Sequence, residues 1–442
     1  MKRIGDILTR NKTQVEVEDG TSYKQVTIRT NYKGVVLRGS QDGATILTKN
    51  QFVVSAGQFI LSRIDARNGA FGIIPEELEG AIITNDFLAF DINEDEVERE
   101  FFNVFLQSPV FSGACIKASR GNTNRKRVDE DFFLNFQVHL PPLADQHALI
   151  KQISKGRTKL ALAQGEITHQ HSLLAKLKHA ILQEAIQGKL TADWRAAHPD
   201  VEPASQLLHR IKAEKARLIA AKKFRPDKPL PKITPAEIPF EIPKGWASAR
   251  LGDIASVVRG GSPRPAGDPR WYGGTIPFLK VADLTNDNEI YVRGHTYTIN
   301  EAGLANTRFV DEEIVLLTNS GATLGVPKIL NFPAAFNDGI AAFLCLPELI
   351  DKRFLFYFLK AKTAWFLAEV SKGIGQPNLN TDLIKATSMG IPPLAEQATI
   401  VTRVGALMAN CRALEAEIEH ARTYAAHLLQ AVLKEAFVPA SS

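Results

Sequence analysis

Two groups of side chains in this sequence have the chemistry of nucleic-acid contact. The first is Lys117, Arg120, Asn122, Asn124, Arg125, Lys126 and Arg127 around Gly121, with Arg63, Arg67 and Asn68 upstream. The second is Arg264, Lys280, Asn319, Lys372, Gln376, Asn378 and Asn380, the last four set around Gly373 and Gly375. Lysine and arginine bring positive charge to phosphates, whereas an arginine fork or an Asn or Gln amide matches two adjacent atoms of a base edge. Glycine lets backbone approach closely. On that division Lys117, Arg120, Arg125, Lys126, Arg127, Arg264, Lys280 and Lys372 are candidates for phosphates. Arg63, Arg67, Asn68, Asn122, Asn124, Asn319, Gln376, Asn378 and Asn380 are candidates for bases. Any one of them alone is more often a plain surface or turn residue; clustering beside glycines carries the reading.

Catalysis has no comparable pattern. The sequence holds no GxxxxGK[ST] phosphate loop, no GxGxxG, no HExxH and no Asn-Pro-Pro-aromatic motif. His169 and His171, two apart on a helical stretch, cannot share a face, so no metal site is expected. The net charge of +5 is mild but locally concentrated: residues 205–225 hold seven Lys or Arg against Glu214 alone. Asp91 to Glu100 is acidic and is expected to face away from phosphate. Cys115, Cys345 and Cys411 lack CxxC spacing and read as buried thiols of a reducing compartment. With no apolar run of eighteen residues and no signal-peptide core after Met1, a cytoplasmic protein without membrane contact is expected.

The elements that must position these residues are written twice. Leu140-Pro141-Pro142-Leu143-Ala144-Asp145-Gln146 recurs as Ile391-Pro392-Pro393-Leu394-Ala395-Glu396-Gln397, an offset of 251, and the same offset carries Ala180 to Ile186 onto Ala431 to Phe437. Each Pro-Pro forbids helix before it, and Asp145 or Glu396 places a carboxylate where the helix dipole favours one. Steps of seven follow: Ile153, Leu160, Ile167, Leu174 and Ile181 in the first copy, and Val404, Cys411, Ile418, Ala425 and Val432 in the second. Leu407, Leu414 and Leu428 fill the alternate line of the second helix, and the pattern predicts a coiled-coil seam. The expected organisation is a mixed α/β domain at 1–142, a seam helix at 143–187 and a linker at 188–242 with a basic helix at 205–224. A second domain at 243–393, a second seam helix at 394–437 and a tail at 438–442 complete it. The proline-rich linker reads as a partly stiff crossing between the two ends of a rod.

The doubled Pro-Pro-Leu-Ala-Asp/Glu-Gln, the Gly188-Lys189-Leu190-Thr191-Ala192-Asp193-Trp194-Arg195 stretch, and Pro243-Lys244-Gly245-Trp246 ahead of Leu251-Gly252-Asp253-Ile254 together resemble the specificity subunit of type I restriction–modification systems. The resemblance spans nearly the whole chain. It implies two target-recognition domains, each reading half of a bipartite site in double-stranded DNA, related by a pseudo-twofold repeat and separated by an antiparallel two-helix coiled coil. It implies two methyltransferase subunits as partners and, through them, restriction subunits. S-adenosylmethionine, ATP and Mg2+ are expected on those partners, with no cofactor on this chain. The first domain departs from the pattern by starting at Ile4-Gly5-Asp6-Ile7 without its own Pro-x-Gly-Trp lead. Two other classes stand beside this reading: a single-chain DNA-modifying enzyme with an unrecognised site, and a coiled-coil scaffold that does not touch DNA.

If the helices act as a ruler between half-sites, deleting one matched heptad, residues 160–166 and the segment packed on it, shortens them by about 10 Å. At about 3.4 Å per base pair, the recognised spacer then loses one to roughly three base pairs while both half-sites stay the same, or all binding is lost if the rotated grooves cannot be met. Sequencing the methylated positions of a host carrying the shortened chain measures this; an unchanged spacer would remove the helices as the ruler.

Overall fold

The computed structural model describes residues 1–121, 126–222, 226, 228–345, 349–371 and 378–437. Asn122, Asn124, Arg125, Lys372 and Gln376, with the side chain of Val432, lie outside the described residues. The chain divides into two compact units, Met1–His169 with residues from Ile418 onward, and Gln170–Glu417. Each unit holds one mixed α/β domain and half of each long helix. Among the described residues no helix is long and apolar enough to cross a membrane.

In the first unit, strands β1 (Leu8–Arg10), β2 (Phe59–Ser62), β3 (Phe71–Ile73) and β4 (Phe87–Ile92) form an antiparallel sheet in the order β1-β4-β2-β3. All four residues of β2 are buried. Alternate side chains serve different cores: Ile60 and Ala89 pack with Val26, Val54 and Ala81 of a five-stranded sheet, whereas Phe59, Leu61, Leu88 and Phe90 face helices. Those helices are α1 (Arg99–Phe105) and α2 (Pro109–Ala118). Ser108 caps α2 by accepting from the Phe111 amide at 3.2 Å, and Pro109 starts it. The capped turn seats the Phe111 ring edge-on between Phe59, Phe71, Phe105 and Phe133, with centroids 4.9 to 5.9 Å away.

Helix α3 (Leu143–Ile186) begins right after Pro141-Pro142. Its expected seam residue Ile153 instead joins the phenylalanine core of the first domain, packed beside Leu149 and Ile150. Helix α4 (Ala204–Ala220) ends short of the expected residue 224.

In the second unit, β5 (Ala255–Arg259), β6 (Ile314–Thr318), β7 (Pro327–Leu330) and β8 (Ile340–Cys345) are antiparallel in the order β5-β8-β6-β7, which repeats the first sheet strand for strand. The turns before β1 and β5 repeat as well: the backbone N–H of Arg3 donates to Asp6 at 2.8 Å and that of Arg250 to Asp253 at 3.0 Å. The accompanying sheets differ, five-stranded in the first unit and four-stranded in the second. Helix α5 (Lys352–Val370) follows in this unit, and α6 (Leu394–Phe437) starts in it and continues into the first.

Here the two long helices run antiparallel. Lys178 pairs with Glu415 at 2.7 Å, and twelve residues further on Leu190 accepts a hydrogen bond at 2.7 Å from Arg403, twelve residues back. Leu174, Ile181, Val404 and Cys411 are buried along the seam, and in the first unit so are Ile167, Ile418 and Ala425. The alternate line is not: Leu414 and Leu428 are each 50% exposed and Leu177 44%, with Leu407 half-buried; on the first line Leu160 is also only half-buried. The seam is therefore one line wide. Gly156 and Ala163 fill alternate positions of α3 in the first unit and give Leu428 little side chain to interlock with, whereas Leu414, level with Leu177 in the Lys178–Glu415 register, stays exposed as Leu177 does.

The linker is not a free crossing. Leu207, Leu208 and Ile211 of α4 are buried on the second domain, the Ala204 amide donates to Gly245 at 2.8 Å, and Arg250 donates to the carbonyls of Pro231 (2.6 Å) and Lys232 (2.9 Å). Its positive charge is partly spent internally: Lys215 donates to Gly252, Arg210 pairs with Glu202 and Arg217 with Glu214.

The motifs ahead of and behind the linker converge on one carboxylate. Glu396 is fully buried and accepts from Trp246 Nε1 at 2.9 Å, from Thr191 Oγ1 at 2.7 Å and from the Arg195 guanidinium, which also donates to the Gly188 carbonyl at 2.9 Å. Its counterpart Asp145 is exposed. Glu396→Ala should therefore cost about 3–5 kcal/mol, because it strands a largely buried arginine. Asp145→Ala should cost about 0.5 kcal/mol, the scale of a dipole contact at an exposed helix start. Urea unfolding of both variants measures the contrast, and equal losses would contradict it.

Candidate nucleic-acid interface

The candidate residues belong to corresponding ends of the two repeated sheets. Past β2, the carbonyl of Arg63 accepts from the Val128 amide at 2.8 Å; past β6, that of Asn319 accepts from Leu379 at 2.8 Å. Val128 and Leu379 are related by the 251-residue offset. In each unit this one backbone bond brings the segment ahead of the long helix to the open end of the sheet. The opposite end carries the Ile4–Ile7 or Leu251–Ile254 turn.

In the first unit Ser119–Arg120 pairs with Arg127–Val128 as a short antiparallel ladder. Arg120 lies 4.6 Å from the Phe132 ring centroid and 3.5 Å from Asp129; Arg127 donates to Asp86 at 2.7 Å. Arg120, Lys126 and Arg127 are exposed, and ion pairs at such a surface are weak enough for a phosphate to exchange with the carboxylates. Lys117 is exposed over the Phe136 ring.

Arg63 is otherwise engaged. It donates to Glu130 at 3.1 Å, while Arg10 holds the other oxygen of the same carboxylate at 3.3 Å and lies over the Phe90 ring. Burial pushes the Arg10 guanidinium below its ordinary pKa, with Glu130 opposing the shift. Arg63 thus serves a structural ion network rather than a base edge. Arg67 is half-buried, and exposed Asn68 donates to Asp65 at 3.1 Å. Asn68 and Gly69 also accept, through their carbonyls, the amides of Asn31 (2.8 Å) and Tyr32 (3.1 Å), both left-handed at φ 58° and 59°. Two consecutive non-glycine residues there are strained, and they present a half-exposed Tyr32 beside the loop. The sequence reading missed this turn, although Asn31-Tyr32-Lys33-Gly34 carries a turn signal.

In the second unit Arg264 is exposed at 3.5 Å from Asp338. Ser262 donates to Asp338 at 2.6 Å and holds its carboxyl below the usual range, with Arg264 and Arg259 adding to the effect. Lys280 lies 3.3 Å from the centroid of half-exposed Tyr297. Asn378 is exposed, bridged through its backbone to Ser320. Two expected readers are misplaced. Asn319 is 1% exposed, its side-chain amide has no hydrogen-bond partner among the described residues, and it is covered rather than presented at the surface. Asn380 caps the helix Thr381–Ala386 by accepting from Leu383 at 2.7 Å, as Asp129 at the offset position caps its own helix at 3.0 Å. Among the described residues no group of His, Cys, Asp and Glu could hold a metal ion.

A family model described as the type I restriction modification DNA specificity domain matches residues 1–169 and 243–421. The chain is 25% identical over 393 residues to the specificity subunit of the type I restriction enzyme EcoAI from Escherichia coli, covering 76% of this chain and 64% of that protein. The EcoEI specificity subunit, also from Escherichia coli, is 24% identical with the same coverage. The chain thus spans just under two thirds of these relatives. A crystal structure of the HsdS subunit from Thermoanaerobacter tengcongensis, 18% identical, aligns with a TM-score of 0.53 over 98% of this chain and 95% of that one. A structure from work on the assembly and conformational transition of a type I restriction–modification system, 17% identical, gives 0.61 over 99% and 97%. At such identities the likeness is one of fold.

Replacing Arg120 and Lys126 together by alanine should weaken duplex binding and lower the steepness of its salt dependence by about 2, one for each lost phosphate contact. Arg63→Ala should instead lower stability, by about 1–3 kcal/mol, because the Glu130 oxygen it meets loses its donor and only Arg10 is left on that carboxylate. Binding titrations at several salt concentrations, with thermal unfolding of each variant, separate the two. An unaltered salt slope in the double variant would remove this ladder from the interface.

Proposed function

Because the chain belongs to the type I restriction–modification DNA specificity family, we propose that it is the non-catalytic, sequence-reading subunit of a DNA methyltransferase and endonuclease complex. Each unit reads one half of a bipartite duplex site, and the chain directs two methyltransferase subunits and, through them, restriction subunits. The observation that carries this reading is the duplicated sheet end. One framework and one backbone bond recur, while the chemistry set on them differs: exposed Arg120, Lys126 and Arg127 in one unit, exposed Arg264 and Asn378 with half-buried Lys280 in the other. A constant scaffold with divergent exposed loops is what two readers of different sequences require.

Phosphate contacts by the exposed cations would fix register, leaving base edges to the loops between them. Methyl transfer and strand cleavage then fall to the partners, which bring S-adenosylmethionine, ATP and Mg2+. Exposed leucines on the long helices, Leu162, Leu173, Leu177, Leu414 and Leu428, support a helical partner surface, since apolar side chains off the seam gain most by being covered. The complex would work in the cytoplasm.

Exchanging residues 1–142 for the equivalent domain of a relative should change one half of the methylated sequence and leave the other half intact. Methylome sequencing of cells carrying the hybrid chain and its methyltransferase subunit reads this out. Simultaneous change of both halves would sink the independent-domain reading.

A further inference from the structure

The two domains meet their long helices through the same kind of joint, built around one glutamine. Gln146 and Gln397, 251 residues apart, are both 0% exposed. Gln146 Oε1 accepts from the Glu98 amide at 2.9 Å, and its Nε2 donates to the carbonyls of Pro141 (2.9 Å) and Glu96 (3.1 Å). Gln397 Oε1 accepts from the Asp351 amide at 2.9 Å, and its Nε2 donates to Pro392 at 3.1 Å. Glu98 and Asp351 are the capping residues of α1 and α5. In each unit a buried amide on the first turn of the long helix thus grips the first turn of a domain helix. Hydrogen bonds of a desolvated amide are directional, whereas the apolar packing of Leu149, Ile150 and Ile153 beside the first joint tolerates small rotations.

The joints differ in what reinforces them. Beside Gln397 stands Glu396 with Trp246, Thr191 and Arg195, and Arg403 is forked onto Asp193 at 2.6 and 2.9 Å. Beside Gln146 stand the exposed Asp145 and a hydrogen bond of 2.8 Å from Arg157 to Gln107 at the surface.

We infer that Gln146 and Gln397 are positioning residues that set the angle between each reading domain and its helix, and thereby the stringency of half-site spacing, with the Gln146 joint the more compliant of the two. This rests on the proposed reading of a bipartite site. A freed domain can swing along the duplex and accept half-sites one base pair nearer or farther, at a cost that the clamp otherwise imposes.

The test places Gln146→Met and Gln397→Met chains with their methyltransferase subunit in a host and sequences methylated positions, comparing sites with the cognate spacer and with one base pair more or fewer. Gln146→Met should raise the ratio of off-spacer to cognate methylation by about tenfold. Gln397→Met should raise it much less, because Glu396 still holds that joint. A merely destabilised chain lowers methylation at every spacer together and leaves the ratio unchanged; that result overturns the inference. Should Gln146→Met not assemble, Gln146→Asn keeps an amide one methylene shorter, and the same ratio decides. The underlying reading fails separately, if wild type methylates no bipartite site at all.

Discussion

A carboxylate taken wholly out of water must be met by donors from every side, or it would protonate or open the structure. Glu396 meets that demand with three donors from two distant stretches, Thr191 and Arg195 behind the first long helix and Trp246 ahead of the second domain. Much of the second unit follows from this constraint. The linker has to return to the start of α6, so α4 lies along the second domain instead of spanning a gap. Arg250 then anchors the linker's proline-rich end through the carbonyls of Pro231 and Lys232. The short motifs flanking the linker are the parts of one polar cluster, which accounts for why such unlike fragments occur together.

The larger architecture was legible because it depends on signals that repeat. A constant offset, paired prolines and heptad spacing mark two domains and two helices without reference to any contact. What the sequence concealed was the partner each polar or apolar side chain would find. Arg63, Asn319 and Asn380 have the right chemistry for bases, yet a carboxylate, a buried turn and a helix start claim them. Asn380 could have been suspected, since position 129 at the same offset is Asp and both types cap helices well. Ile153 obeys the heptad but satisfies its burial on the domain, and periodicity cannot tell one apolar neighbour from another. The exposed Leu414 and Leu428 show the converse: a line of leucines announces a contact without saying which chain supplies the other side.

The contrast between the two accompanying sheets fits the same logic. The repeated four-stranded sheet packs one face on the helices through residues such as Phe59 and keeps its strand order; the accompanying sheet differs in strand number, and each builds its own second cluster on its far face, Ile82 with Val17 and Ile46 in one unit and Phe278 with Ile299 and Ala335 in the other.

The glutamine joints also bear on exchange of parts. The groups that Gln146 and Gln397 grip are backbone amides and carbonyls, at Glu96, Glu98, Pro141, Asp351 and Pro392. Backbone presents the same atoms whatever side chain it carries. These bonds would hold a domain of different surface as well, provided its chain returns along the same trace and keeps the apolar seat of Ile153 or the Trp246 contact with Glu396. The helix starts thus behave as two fittings of one pattern, and exchange of a domain calls for compensation at the side chains that add to them, Ile153 in the first unit and Trp246 and Arg250 in the second.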